Sequence, residues 1–473
     1  MYKQEINLLD YQIEQLTAIK KIHDKSFIAV DYSRMGTGKT FPALKYAEEF
    51  PQSLVISSAA VINGNWIGQV AANFIIPKTM EFITLEKLRG FSERELNHEY
   101  LVRQEIERNR KTIVRYFPSK KWAEMCQEGI LLIIDEMQFV KNQNLQAKAI
   151  KAMIAELKKY NSSRVLMLSG SIIDDTAQAK NYFSLLGILT LQPMTINPSS
   201  KKKAYPGILE IEEFCNHERK CIIEKPLNYI EHIFMTTFKQ NFCCAMKPPQ
   251  LRDMFKFNWF CKVSQTNDQE IGMAVSMIDK IIKSKKINQT MIFALMQRIE
   301  VAKVPTFIRL ARKFFAENAT GKLVIGLGYL EGIRLLEQEL AEFSPAVITG
   351  CVPNKSRQEI IEHFQKPDLS SRLIIAQVRI ISTGITLHDA HGNFPRTCYI
   401  SPSYDTMMIF QIGHRFCRIT TKSTPDLRVI YSKNNKHELT VISRLARKSE
   451  IMAQFHSDGV GCLFPHEFTE ITE

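Results

Sequence analysis

The sequence has little of what a membrane or secreted protein needs. No unbroken apolar run approaches the roughly 18 residues of a membrane helix. The first residues, MYKQEINLLDYQ, carry charge where a signal peptide needs an apolar core. Glycine (20) and proline (18) are modest in 473 residues, which argues against collagenous or long disordered stretches. We therefore expect an intracellular, soluble globular protein with two to four domains, at roughly 100–200 residues per domain.

Cysteine is also sparse. Ten scattered cysteines do not suit a secreted disulfide scaffold, so we expect reduced thiols. One group of cysteines and histidines invites a zinc interpretation, yet it contains no C-x-x-C pair and no standard finger spacing. We therefore favour small, buried, apolar cysteines and keep zinc as the alternative. The group consists of Cys215, His217, Cys221, His232, Cys243 and Cys244.

Acidic residues are outnumbered by basic ones. The chain has 62 lysines and arginines against 49 acids, which gives a net charge of +13. This excess favours a polyanionic partner, nucleic acid ahead of a membrane surface. The basic run at residues 201–203 is typical of a solvated loop, although it could also contact a phosphate backbone.

Short apolar runs alternate with helical patterns in both halves of the chain. Runs of this kind suit strands that are buried on both faces of a parallel sheet. The alternation predicts an α/β fold with two doubly wound parallel-sheet lobes, at residues 1–192 and 304–473. Residues 193–303 break the alternation and predict a mostly helical insert, and residues 437–455 predict a closing helix. The apolar runs are 27–30, 54–56, 130–134 and 165–168, then 323–325, 346–348, 373–376, 398–400 and 427–430.

The sharpest local pattern is MGTGKT at residues 35–40. It follows an apolar strand and opens a helical segment, which is the context of a phosphate-binding loop. Glycines let backbone N–H groups turn toward phosphates, and the helix N-terminus adds positive potential. Ser33 stands where the full pattern has glycine, so a plain glycine-rich turn remains the alternative. The predicted nucleotide-binding residues are Met35, Gly36, Thr37, Gly38, Lys39 (for the β- and γ-phosphates) and Thr40 (for Mg²⁺).

An acidic pair follows another buried strand. Residues 129–134 run directly into Asp135 and Glu136. Paired with a phosphate loop, Asp135 would hold Mg²⁺ directly or through water, and Glu136 would polarise the attacking water. The alternative is a solvated strand end.

The acidic pair begins a segment, DEMQFVKN at residues 135–142, that resembles motif II of superfamily 2 helicase-like ATPases, in particular the Swi/Snf branch. The resemblance covers most of the chain and implies two RecA-like lobes that use ATP and Mg²⁺. It is closest to virus- or phage-encoded members. Other segments resemble the family's motifs in the expected order: 9–12 (Q), 54–66 (Ia), 164–171 (III), 322–340 (IV), 382–390 (V) and 411–418 (VI).

The resemblance implies further roles at the nucleotide. Gln12 would read adenine. Gln411, Arg415 and Arg418 keep the family spacing and would share one face of a helix. That face would line the cleft between the lobes, where one or both arginines would stabilise charge on the γ-phosphate. A solvated or acid-paired basic helix face is the alternative.

The resemblance also implies contacts to nucleic acid through motifs Ia, III, IV and V. These would be mostly phosphate contacts, with little sequence specificity. For Trp66, packing at the edge of the first lobe is favoured over stacking on a base. The residues implied are Ser58, Trp66, Ser169, Gly170, Ser171, Gly350, Thr383 and Gly384.

Some positions depart from the family pattern. Met137 and Gln138 replace Ala-His, so coupling of motif II to motif III would run through an amide. His414 stands where the branch often has aspartate, and no departure removes a catalytic group.

The leading hypothesis is an ATP-dependent, nucleic-acid-stimulated motor that acts as a monomer on double-stranded DNA, with single-stranded nucleic acid or RNA as other substrates. One alternative is a catalytically weak nucleic-acid-binding subunit of a transcription or repair complex. Another is a phosphate-loop ATPase that acts on protein.

Overall fold

The computed structural model describes most of the chain. The described residues are 3–91, 98–108, 111–170, 172–189, 194–197, 202–204, 211, 229–247, 260–284, 289–382, 385–403, 405–418, 420–433, 435–456 and 469–470. The chain forms two compact units. Lobe 1 comprises Met1–Pro248 with Gln454–Ser457, and lobe 2 comprises Pro249–Ala453 with Asp458–Glu473.

Lobe 1 is built on a six-stranded parallel sheet in the order β10-β1-β7-β6-β2-β3, with two antiparallel pairs, β4-β5 and β8-β9, outside it. The central strand β6 reads ILLIID and is buried throughout, as a strand covered on both faces requires. The strands are β1 Ile28–Asp31, β2 Gln52–Ser57, β3 Met80–Thr84, β4 Leu101–Arg108, β5 Lys111–Pro118, β6 Ile130–Asp135, β7 Arg164–Leu168, β8 Met194–Asn197, β9 Lys202–Ala204 and β10 Cys243–Cys244.

Helices cover the sheet of lobe 1. Asn144 caps the helix Leu145–Leu157 by accepting a hydrogen bond from the Ala147 amide at 2.7 Å. The α-helices are Asp10–His23, Thr40–Ala47, Ala59–Val61, Leu85–Arg89, Lys120–Glu128, Leu145–Leu157, Gln178–Leu185, Tyr229–Ile233 and Lys239–Phe242; Ile62–Ala71 and Phe234–Phe238 are π-helical, and Met137–Val140 is a 3₁₀-helix.

Lobe 2 is built on a seven-stranded parallel sheet in the order β13-β14-β12-β15-β16-β11-β17. Alternate residues of β12 enter different hydrophobic clusters, Val324 one and Leu323 and Ile325 the other, so both faces of the sheet are covered. The strands are β11 Phe260–Val263, β12 Lys322–Leu327, β13 Ala346–Ile348, β14 Leu373–Gln377, β15 Arg396–Ile400, β16 Asp426–Ser432 and β17 Thr469–Glu470. The helices are Asp268–Lys283, Gln289–Ala302, Val304–Glu317, Leu330–Glu339, Asn354–Gln365, Val378–Ser382, Thr406–Phe416 and Lys436–His456, with a 3₁₀-helix at Ala341–Phe343.

The prediction of two doubly wound parallel-sheet lobes is confirmed. The mostly helical insert at 193–303 stays a prediction, because much of this range lies outside the described residues. Within its described part, strand β10 pairs with β1 in lobe 1 and β11 pairs with β16 in lobe 2, and the first boundary between the two units falls after Pro248. Strands of two and four residues have too little periodicity to be recognised from sequence.

The structure also bears on smaller predictions about the basic run, a zinc site, the cysteines and membrane helices. Lys202 and Lys203 lie in β9 rather than in a loop. Cys215, His217 and Cys221 are outside the described residues, and within the described ranges no three histidine, cysteine, aspartate or glutamate side chains could share a metal ion. Seven cysteines of the described part of the chain are free thiols. Within the same part, no helix is both long and apolar enough to cross a membrane.

Candidate nucleotide site

The phosphate loop joins β1 to the helix Thr40–Ala47, with Lys39 at the helix N-cap. Gly36 and Gly38 have φ angles of 83° and 81°, a left-handed conformation that strongly favours glycine. The loop therefore has the strand–turn–helix geometry in which backbone N–H groups and a helix N-terminus bind phosphate.

The Lys39 side chain lies across the loop. Its ammonium donates hydrogen bonds to the carbonyl oxygens of Ser33 at 2.8 Å and Arg34 at 3.2 Å. Phosphate oxygens are charged and therefore stronger acceptors than carbonyl oxygens. Lys39 is thus positioned to exchange these bonds for contacts to a bound phosphate.

Ser33 and Asp31 belong to this site, although sequence reasoning did not select them. The Ser33 amide donates to Asp31 Oδ1 at 2.8 Å, and the Ser33 hydroxyl accepts from the Met246 amide at 2.7 Å. Both residues are fully buried. Burial raises the pKa of Asp31, while the positive charge of Lys39 opposes that rise. Serine at the missing glycine position thus connects the loop to the chain that follows β10.

Gln12 contacts the loop directly. Its amide nitrogen lies 3.3 Å from the Thr37 carbonyl oxygen, to which it donates, and its own carbonyl oxygen accepts from the Leu9 amide at 3.0 Å. A Cβ atom at Gly38 would lie 2.7 Å from the Gln12 amide nitrogen, which is a second reason for glycine there. Gln12 braces the loop in this structure, and adenine recognition stays a prediction.

The acidic pair ends β6. Asp135 is buried; its Oδ1 accepts from the Glu136 amide at 2.9 Å and its Oδ2 accepts from the Trp66 indole at 2.8 Å. Burial and the neighbouring Glu136 charge raise the pKa of Asp135, while the Trp66 hydrogen bond and Lys39 lower it. The arrangement holds an oxygen-rich acidic group in the same neighbourhood as the phosphate loop.

Motif II is linked to motif III through Gln138. The Gln138 amide nitrogen donates to the Glu136 carboxylate, and the Ser169 hydroxyl donates to the Gln138 carbonyl oxygen at 2.6 Å. Coupling through an amide, as predicted, is therefore present. Motif III also packs on the phosphate loop, because a Cβ atom at Gly170 would lie 2.3 Å from Cγ of Met35.

The two predicted Mg²⁺ ligands, Thr40 and Asp135, each accept a hydrogen bond from the same segment of chain, Asn65–Trp66. The Asn65 amide nitrogen donates to the Thr40 hydroxyl at 3.3 Å, and the next residue, Trp66, donates to Asp135. A hydroxyl and a carboxylate are oxygen donors of the type that Mg²⁺ takes. The residues present therefore fit a magnesium ion bound with a nucleotide.

In lobe 2, Gln411 and Arg415 are buried and lie one turn apart on the helix Thr406–Phe416. The Arg415 guanidinium donates from Nε and Nη2 to the Ser382 carbonyl oxygen, at 3.0 and 2.6 Å. Motif VI is thus attached to the first residue of motif V.

Arg418 does not share that helix face, so this part of the prediction is wrong. The helix ends at Phe416 because Cys417 takes an extended conformation (φ −126°, ψ 117°). Arg418 follows in a half-buried segment, where its amide donates to the Thr421 hydroxyl at 2.7 Å. For Arg418 to share the helix face of Gln411 and Arg415, the helix would have to continue for two more residues.

The eight residues implied for nucleic-acid contact differ in how far they are exposed. Trp66 and Ser169 are fully buried in this structure, and their contact with nucleic acid stays a prediction. Gly170 is also buried, Ser58 is half-buried, and Gly350 is exposed. Gly350 donates to Gln377 at 2.8 Å and accepts from Arg357 at 3.0 Å. Ser171, Thr383 and Gly384 lie outside the described residues.

Comparison with known proteins gives one similar curated sequence. The chain is 23% identical over 460 residues to the "Putative ATP-dependent RNA helicase L364" of Acanthamoeba polyphaga mimivirus, covering 93% of this chain and 82% of the relative. No protein-family model matches the chain. A solved structure of the Sulfolobus solfataricus SWI2/SNF2 ATPase core in complex with dsDNA matches 96% of this chain and 94% of its own. Its identity is 16% and its TM-score 0.33, too low to support an argument.

The sequence motifs, the two parallel-sheet lobes and the viral relative agree with one another. On these grounds the chain resembles the helicase-like ATPases of superfamily 2, in particular virus-encoded members of the Swi/Snf type.

Proposed function

We propose that this protein is an ATP-driven motor that moves along nucleic acid, mainly double-stranded DNA. The observation that carries the proposal is the meeting of three groups in lobe 1. The segment Asn65–Trp66 donates hydrogen bonds to Thr40 at the end of the phosphate loop and to Asp135 of the acid pair. Gln138 joins Glu136 of the acid pair to Ser169 of motif III. Such a constellation couples phosphate chemistry to a neighbouring binding surface.

The chemistry proposed for lobe 1 follows from its contacts. Lys39 binds the β- and γ-phosphates, and Glu136 orients the attacking water. Thr40 and Asp135 would hold Mg²⁺, which would neutralise charge on the phosphate oxygens. The Gln138 amide keeps the Glu136 carboxylate in one orientation, so the base does not have to be ordered during the reaction.

Lobe 2 contributes the arginines of motif VI. Arg415 is already bonded to the Ser382 carbonyl oxygen, so we assign it to holding motifs V and VI together. Arg418, beyond the helix end, is then the residue that stabilises charge on the γ-phosphate. Repeated closure and opening of the ATP-bound protein would move the nucleic-acid-gripping motifs stepwise along the strand.

Three observations bear on which nucleic acid the protein moves along. The net charge of +13 suits any polyanion. The Swi/Snf-like motifs favour duplex DNA, whereas the viral relative is named an RNA helicase and makes RNA the second candidate.

The deciding experiment measures ATP hydrolysis with no nucleic acid, single-stranded DNA, duplex DNA and RNA in parallel, at low and high salt. Stimulation by duplex DNA that falls steeply with salt is the expected result. Displacement of a triplex strand without separation of the duplex would indicate translocation. Stimulation by RNA alone would make the protein an RNA motor, and absence of hydrolysis under all conditions would favour a catalytically weak binding subunit.

A further inference from the structure

Trp66 is placed unusually for a core tryptophan. It is fully buried in the hydrophobic cluster of lobe 1, yet its single polar atom lies 2.8 Å from Asp135 Oδ2, to which it donates. A buried indole N–H needs a partner, and many backbone carbonyl oxygens could supply one. Here the partner is the carboxylate that motif II offers to Mg²⁺.

The chain around Trp66 makes two more contacts with the same group of residues. Asn65 donates to the Thr40 hydroxyl at 3.3 Å. Ser57, at the end of β2, donates to the Asp135 carbonyl oxygen at 2.8 Å. Asn65 and Trp66 are successive residues of the π-helix Ile62–Ala71, so their side chains point in different directions and reach two different elements from one place. Both predicted metal ligands are therefore held by one stretch of chain.

The contacts also leave the metal-binding atoms usable. A carboxylate oxygen has about two lone-pair directions, and each oxygen of Asp135 accepts one hydrogen bond from the residues named above. The Thr40 hydroxyl oxygen accepts a hydrogen bond from Asn65, so the hydrogen of the Thr40 hydroxyl itself points in another direction. A neighbour that fixes a ligand without occupying all of its lone pairs raises metal affinity by orienting it.

We propose that Trp66 and Asn65 are positioning residues for Mg²⁺-nucleotide binding, Trp66 acting through Asp135 and Asn65 through Thr40. This inference rests on the proposed function, because it assigns a role within the same nucleotide site. It replaces the expected nucleic-acid contact of Trp66 with a role inside lobe 1.

Lobe 1 supplies a matched control. Trp122 is also fully buried, and its indole donates to the Met153 carbonyl oxygen at 3.1 Å. Replacing either tryptophan by phenylalanine keeps an aromatic ring and removes one hydrogen bond. Only Trp66→Phe removes it from a predicted metal ligand.

The test measures binding of a fluorescent ATP analogue as Mg²⁺ is titrated, and again in EDTA, for wild type, Trp66→Phe, Trp122→Phe and Asn65→Ala. Trp66→Phe should raise the Mg²⁺ concentration for half-maximal binding about tenfold, as loss of an outer contact to a ligand does. Asn65→Ala should raise it about threefold, the effect of one neutral hydrogen bond. Binding in EDTA should be unchanged, and Trp122→Phe should match wild type throughout.

Identical Mg²⁺ titrations for Trp66→Phe and Trp122→Phe would overturn the inference. Circular dichroism reports whether each variant folds. If Trp66→Phe does not fold, the test rests on Asn65→Ala, a change at a half-buried residue. An unchanged Mg²⁺ titration for Asn65→Ala would then reject the positioning role. If the wild type does not bind nucleotide, the proposed function itself is wrong. If the wild type binds nucleotide with Mg²⁺ and the variants bind it equally well, only the positioning role is wrong.

Discussion

Glu136 takes a left-handed backbone conformation, with φ 55° and ψ 53°, directly after the buried strand β6. Few non-glycine residues adopt this conformation, and those that do are concentrated at functional sites. The turn lets the Asp135 and Glu136 side chains serve different purposes. Asp135 is held by Trp66, and Glu136 by Gln138.

Replacement of Glu136 by glutamine tests its assignment as the water-orienting base. We expect nucleotide binding to remain and the hydrolysis rate to fall about 10²–10⁴-fold, because the amide cannot accept the proton. Phosphate release under saturating ATP measures the effect. Glu124→Gln, an exposed change on the helix Lys120–Glu128, is the control. A wild-type rate in Glu136→Gln would contradict the assignment.

At the scale of single elements, short pieces of chain determine how the motifs are held. Strand β10 has only two residues, yet the chain after it reaches Ser33 through the Met246 amide. The helix Thr406–Phe416 likewise ends before Arg418, so only Gln411 and Arg415 of the three predicted motif VI residues lie on it. Both features depend on where an element ends.

Ser33→Ala should loosen the phosphate loop. Loss of the hydrogen bond from Met246 leaves a buried amide without its acceptor, at a cost of about 1–3 kcal/mol. Ser163 is a matched control, because it is fully buried and its hydroxyl bonds to Ile130 and Cys126 away from the loop. Ser33→Ala and Ser163→Ala should both lower the urea concentration at the midpoint of unfolding, but only Ser33→Ala should weaken nucleotide affinity. Equal nucleotide affinity in the two variants would contradict the bracing role of Ser33.

The two motif VI arginines should behave differently. Arg418→Ala should reduce turnover about 10³-fold while nucleotide still binds, the usual effect of removing an arginine finger. Arg415→Ala should instead lower the stability of lobe 2, because it removes both hydrogen bonds to the Ser382 carbonyl oxygen. Single-turnover hydrolysis and urea unfolding separate the two effects, with the exposed Arg312→Ala as control. Full turnover in Arg418→Ala would exclude it as the finger.

At the scale of the whole molecule, polar contacts tie distant parts of each lobe together. His23 joins the helix Asp10–His23 to two other elements: its ring nitrogens lie 3.0 Å from the Tyr46 hydroxyl and 3.0 Å from the Val165 carbonyl oxygen. Burial lowers the pKa of His23 from 6.5 to about 4, so the folded protein keeps the ring neutral. The unfolded chain binds a proton more readily than the folded one does.

Acid should therefore destabilise lobe 1 through His23. Because the pKa is lower in the folded state, this contribution is complete above pH 6.5 and is lost as pH falls toward 4. At pH 5 the loss amounts to about 2 kcal/mol in the free energy of unfolding. Urea unfolding of wild type and His23→Gln at pH 7 and pH 5 measures it. The variant should lose less stability on acidification, and equal losses would argue that other groups are responsible.

Much of the nucleotide site was predictable because its members are neighbours in the chain. Gly36, Gly38 and Lys39 form one loop, and Asp135 and Glu136 follow one buried strand, so a local pattern identifies them. The contacts that support them join distant positions. Ser33 and Met246 are 213 residues apart, and Trp66 and Asp135 are 69 apart.

The amino-acid sequence by itself determined the two parallel-sheet lobes and the positions of the residues predicted to bind phosphate, metal and water, since hydrophobic periodicity and adjacent motif residues are local properties. Only the tertiary structure decided that Trp66 donates to Asp135 and Ser169 to Gln138, that Arg418 leaves the helix, and that the chain after β10 braces the loop. Burial and hydrogen-bond partners depend on which strands become neighbours and on where each helix ends. Those outcomes are set by packing across the whole lobe, which no local pattern encodes.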